Sequence, residues 1–255
     1  MKKKSTQTKL YLVIIVVALV VTVAFIFTKK KSLFSNQEID YFIQMAMLDS
    51  VNKEENPLFR WTKTPVKIGV HDVTLPGDAP FASSADFDAC LSRVISNFNN
   101  ISKTVKLERT YWFPEDIAIA VTKQDAILDY VAAYSEVGAG DYVKHLKEAA
   151  GFVQFGMNED YTMDFTLLVM APELVEPSKK CALLYHEMMH ALGFPNHNTV
   201  EDDPQGVLTG GEATFENFSN LDKMLIDTMY NSGVPTGIDS EQIRESLKEN
   251  GETLN

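Results

Sequence analysis

Pro177-Ser178-Lys179-Lys180-Cys181-Ala182-Leu183-Leu184-Tyr185-His186-Glu187-Met188-Met189-His190-Ala191-Leu192-Gly193 is the stretch whose reading decides the fold. Pro177-Ser178 is a helix-start signal, no breaker interrupts Lys179 to Leu192, and Gly193 falls where a helix commonly ends with positive φ. Leu183, Leu184, Met188, Ala191 and Leu192 give that helix a face to bury. Residues four apart on a helix lie one above the other, so His186 and His190 present two imidazole nitrogens to one metal ion. Glu187 then stands beside the open metal position. Zinc takes nitrogen ligands at about 2.0–2.1 Å and, in catalytic sites, keeps one of its positions for a water whose pKa falls to roughly 7. A carboxylate next to that water can take its proton during attack on a carbonyl and pass it to the leaving amine. The bland reading of the same letters is a buried helix that happens to carry two histidines.

His186 through Gly193 spells H-E-x-x-H-x-x-G, and the segment resembles the zincin metallopeptidases, most closely the metzincin pattern. The resemblance implies an α+β, zincin-like catalytic domain. Its parts are a twisted mixed sheet with helices, the metal-bearing active-site helix and a smaller C-terminal helical part that closes the cleft. It also implies Zn2+ as cofactor, a peptide or protein substrate, and Glu187 as general base. The metzincin pattern places a third His three residues after the Gly. Here Gly193-Phe194-Pro195-Asn196-His197 places it one residue late. Pro195-Asn196 is turn-forming chemistry that absorbs an extra residue, and His197 is taken as the third ligand. Glu201, Asp202, Asp203 and Glu212 stay open as competing carboxylates, a Glu from a second helix being the thermolysin-like arrangement.

Metzincins also carry a methionine turn beneath the metal. Thr228-Met229-Tyr230 is similar to it in letters, yet Leu221, Met224, Leu225, Ile226 and Met229 recur at helical spacing, which predicts ordinary helix core. Tyr230 is then expected to pack its ring and keep a wet hydroxyl. Phe59-Arg60-Trp61 before a strand, Cys181 ahead of the helix, and Leu221-Asp222-Lys223 through Pro235-Thr236-Gly237 after it are similar to an uncharacterised bacterial zincin-like domain family. Some members of that family lack the full His pair. The expectation is therefore a zinc metallopeptidase, against a catalytically inactive zincin-like binding or interaction module tethered to a membrane. An intact Glu187 favours the enzyme, since a structural zinc site has no need of a base.

Leu10 to Phe27 is apolar apart from Thr22 and long enough to cross a bilayer as a helix. It runs into Thr28-Lys29-Lys30-Lys31 rather than a small-residue cleavage site, which predicts an uncleaved signal-anchor. Lys2, Lys3, Lys4 and Lys9 before the run and Lys29 to Lys31 after it bias the N-terminus only slightly toward the cytoplasm. The expected organisation is an anchor at 1–31, a helical linker at 32–57 and the catalytic domain at 58–255. The expected location is a single-pass membrane protein with its catalytic domain on the extracytoplasmic side of a bacterial cell envelope. Seven of the 23 basic residues lie in the first 31 positions, leaving 16 against 35 acidic ones, a formal charge of −19. Such a body repels nucleic acid and anionic lipid. Cys90 and Cys181 permit one disulfide and equally permit two buried thiols.

Ser35-Asn36-Gln37-Glu38 is a capping-box pattern that predicts a helix from Asn36 to Val51. Pro65 to Val70, Asp116 to Val121 and Phe165 to Met170 read as strands. Asp86 to Ile101, Asp125 to Tyr134 and Asp141 to Ala150 read as helices. His71 and His145 lack ligand spacing and are expected to be structural or solvated.

Overall fold

The computed structural model describes residues 34–48, 54–72, 84–123, 149–199, 201–209 and 215–253. The expected membrane run, His145, Glu212 and the helix expected at 125–134 lie outside them, as does the helix expected at 141–150 apart from its last two positions. Among the described residues no helix is long and apolar enough to cross a membrane.

Helix α1 (Asn36–Met47) opens with the expected capping box: the Ser35 hydroxyl accepts from the Glu38 N–H, and the Glu38 carboxylate accepts from the Ser35 N–H. It stops at Met47 rather than Val51, because Leu48 turns extended and bridges Glu55. Ile39, Phe42, Ile43, Ala46 and Met47 lie in the main core. The segment expected as a linker therefore contributes a full helix face to the fold.

After α1 come β1 (Val66–Asp72), α2 (Ala85–Ile101), β2 (Leu107–Arg109), β3 (Ile117–Val121), β4 (Gly151–Met157) and β5 (Met163–Met170), then α3 (Lys180–Ala191), α4 (Asn220–Asn231) and α5 (Ser240–Thr253). The strands form one sheet in the order β2-β1-β3-β5-β4. All neighbours are parallel except β4, which lies antiparallel to β5 at one edge. This is an α+β chain with a mixed sheet.

Alternation along the strands sorts the two faces. Ile68, Ile117, Ile119, Leu168 and Met170 face the large core shared with the helices, whereas Ala118, Ala120, Leu167, Val169 and Ala171 form a smaller cluster on the other side. Covered on both faces, β3 is buried at all five positions and reads as an unbroken apolar run. A Cys90–Cys181 disulfide joins α2 to the first turn of α3 and settles the pairing that spacing left open.

Candidate metal centre

The α3 helix is entered through a 3-10 turn, Pro177–Lys179, and no side chain caps it, so Ser178 sits inside that turn instead of at an N-cap. Its far end is tied down more firmly. Trp61 Nε1 donates to the Ala191 carbonyl at 2.9 Å and the Tyr230 hydroxyl to the Leu192 carbonyl at 2.7 Å, satisfying acceptors that a helix end leaves over. The Tyr230 hydroxyl is thus buried and bonded, not wet as expected. Gly193 has φ 97°, and a Cβ there would lie 2.9 Å from the Phe59 carbonyl oxygen. Only glycine both takes that backbone state and lets the 59–61 segment pass so close.

The turn after Gly193 aims the second histidine. His190 Nδ1 lies 2.6 Å from the Phe194 carbonyl, and His186 Nδ1 lies 2.7 Å from the Val207 carbonyl. A carbonyl only accepts, so both Nδ1 atoms carry the proton and both Nε2 atoms present a lone pair. Those Nε2 atoms are 3.1 Å apart, and His197 Nε2 lies 3.1 Å from the first and 3.2 Å from the second. A tetrahedral ion with bonds of about 2.0–2.1 Å spaces its nitrogens about 3.3 Å apart, so the residues fit such an ion. Two facing lone pairs cannot bond each other; a cation between them reconciles the arrangement. Burial, then the neighbouring His197, holds His186 down to about 4. Burial and both partner imidazoles hold His190 well below its ordinary value. Neutral imidazoles are the state that metal binding requires.

His197 reaches the pair because its neighbours are pinned. Asn196 Nδ2 donates to the Gln44 carbonyl at 3.0 Å and Asn198 Nδ2 to the Tyr41 hydroxyl at 2.8 Å, both on α1, while Asn198 N–H bonds the Leu208 carbonyl at 3.1 Å. Of the rival ligands, Asp202 accepts from the Thr199 hydroxyl at 2.7 Å, and Asp203 is buried and accepts from the Ser219 hydroxyl at 2.6 Å. Both brace the loop. Among the described residues His186, His190 and His197 are the group close enough to hold a metal ion. His71 is elsewhere, 2.7 Å from Glu115.

Glu187 is 5% exposed and packs on the bare Cα of Gly151, the first residue of β4. A Cβ at Gly151 would fall 2.1 Å from Glu187 Oε1. Burial alone pushes this carboxyl up to about 8, which marks it as a group that readily holds a proton.

Residues 35–249 match the family profile described as protein of unknown function (DUF2927). The chain belongs to the DUF2927 family. No curated protein matches it. The DUF2927 span runs from the cap of α1 into α5 and so contains the sheet, all three histidines and Glu187.

Four residues within that DUF2927 span, Tyr41, Gln44, Gly151 and Asp222, have roles that sequence does not display. Tyr41 and the Gln44 carbonyl position the third histidine from 150 residues away or more. Gly151 clears space for Glu187. Asp222 Oδ2 accepts from the Val207 N–H at 3.1 Å and the Ser219 N–H at 2.8 Å, steadying the residue whose carbonyl orients His186. Burial pushes the Asp222 carboxyl up to about 6 against those two bonds, with Asp203 adding to the rise.

Proposed function

We propose that this chain is a zinc-dependent metallopeptidase of the zincin type, held at a membrane by the apolar run Leu10 to Phe27, with its body outside the cytoplasm. The observation that carries the reading is the triad, with three Nε2 atoms within 3.2 Å of one another and the Glu187 carboxylate rising from the same helix. His186, His190 and His197 hold the ion. When bound, zinc supplies a polarised carbonyl and a water acidic enough to attack at neutral pH.

The chain's own residues do the rest. The Val207 and Phe194 carbonyls keep the ligand rings in one tautomer, as outer partners of metal-bound histidines do. Glu187 takes a proton and returns it to the leaving amine. The bare Cα of Gly151 gives the carboxylate its seat. β4 begins at that contact and is an edge strand among the described residues, so its outer N–H and C=O groups can hold an extended peptide as an added strand.

Purified full-length chain, stripped of metal and reloaded with zinc, is expected to bind one zinc and to cleave members of a peptide library. Glu187→Gln is expected to keep the zinc and lose cleavage. Zinc binding with no cleavage of any peptide would favour the tethered binding module instead.

A further inference from the structure

The loop between β2 and β3 carries Tyr111-Trp112-Phe113, three consecutive aromatic residues that are 78%, 83% and 86% exposed. Its base is braced on both sides. The Thr110 hydroxyl accepts from the Trp112 N–H and donates to the Trp112 carbonyl, each at 3.1 Å. The Arg109 guanidinium lies 4.9 Å from the Tyr111 ring centroid and is held by Asp88 at 2.7 Å. On the returning side Glu115 meets His71 at 2.7 Å, and Asp116 accepts from Lys63 at 2.6 Å and from the Lys67 N–H at 2.7 Å. The fold thus holds three large rings out in water on a fixed support, and adjacent exposed apolar groups of that size mark a contact surface. β2, from which the loop departs, is the sheet edge opposite β4, the strand whose first residue packs on Glu187.

We infer that Tyr111, Trp112 and Phe113 sit in the interfacial layer of the bilayer and set the tilt of the body on it, an inference that rests on the membrane anchor proposed above. The described fold begins at Phe34, seven residues after the apolar run ends at Phe27, a leash of about 25 Å at full stretch. The body is therefore kept at the bilayer surface. Tryptophan and tyrosine are the chemistry of the headgroup layer, with an apolar ring and a polar tip that stays hydrated. A body of formal charge −19 gains nothing from anionic headgroups, so its contact with lipid comes from aromatic and apolar groups.

The chain contains two tryptophans, Trp61 buried in the core and Trp112 at this tip, which makes the test selective. Full-length chain is reconstituted into phosphatidylcholine vesicles with and without bromine on the acyl chains just below the headgroup. Flotation reports the anchor, and tryptophan emission reports the loop. The expected result is a chain that floats and loses most of its Trp112 emission to the brominated lipid, a loss missing from W112F. A floating chain whose Trp112 ignores bromine and stays open to aqueous acrylamide overturns the contact and leaves the anchor standing. Shielding from acrylamide without bromine quenching assigns the loop to a protein partner and overturns it equally. A chain that does not float removes the anchor, and the lipid contact with it.

Discussion

Glu187 and Gly151 meet as a carboxylate against a missing side chain, and that contact is where a single atom decides most. A Cβ at Gly151 would stand 2.1 Å from Oε1, so Gly151→Ala must drive the carboxylate off its seat. Displacing a reacting group by about an ångström costs roughly 100-fold in rate. Gly151→Ala is expected to lower kcat/KM on a cleaved peptide by that order while zinc affinity, read by competition with a chromophoric chelator, stays within about threefold. Glu187→Gln removes the proton carrier of the proposed mechanism and is expected to cost about 10²–10⁴ in rate with zinc retained. His197→Ala is expected to weaken zinc binding by more than about 100-fold in the same titration, because two imidazoles remain of three. His186, Glu187 and His190 are legible in sequence because helix period alone places them together. His197 is legible as a residue type, but its reach is set by Asn196 and Asn198 bonding to α1, which no local pattern displays. Gly151 is invisible for a related reason: its role is defined by a side chain 36 positions later.

Among the elements, those that bury a face announce themselves, and those at the sheet's edges do not. α2, β3 and β5 follow their apolar patterns closely, since periodic burial is what created the pattern. β4 escapes because Gly151 and Gly156 weaken its strand character and because every residue from Gly151 to Gly156 is only half-buried, so no alternation develops. β2 is three residues long, below any readable period. The α4 N-terminus carries a further consequence in Asp222, whose Oδ2 takes two N–H bonds while Oδ1 has no partner among the described residues. A proton on Oδ1 relieves the buried charge, and the folded pKa rises from 3.8 to about 6. The stability that this group contributes is full below the unfolded value and is lost as pH rises through about 6, an effect of at most about 3 kcal/mol. Asp222→Asn keeps an oxygen for both N–H groups and cannot ionise. The difference in unfolding free energy between wild type and Asp222→Asn is expected to move in favour of the variant between pH 4 and pH 7, as measured by denaturant titration.

At the scale of the whole molecule, the histidine site is assembled from parts of the chain that lie far apart in sequence. α1 braces the third histidine, α3 carries the first two, β4 seats Glu187, and Asp222 of α4 steadies Val207. The Cys90–Cys181 disulfide locks α2 onto the start of α3 across a sequence separation of 91. A loop of that length restricts the unfolded chain by about 4–5 kcal/mol, so a Cys90→Ser, Cys181→Ser double variant is expected to unfold at distinctly lower denaturant than the oxidised parent. Sequence left this bond open because two cysteines fix a possibility and only their approach in space fixes a bond. The segment at 32–57 shows the same limit: capping and periodicity locate its helix, but its packing on the body is a tertiary fact. Coordination of a metal by the three histidines is the centre of the proposed function. Zinc-edge X-ray absorption on the zinc-loaded full-length chain is expected to show three imidazole nitrogens and one oxygen at about 2.0–2.1 Å. Fewer than three imidazoles, a sulfur ligand, or a chain that retains no stoichiometric zinc would contradict it.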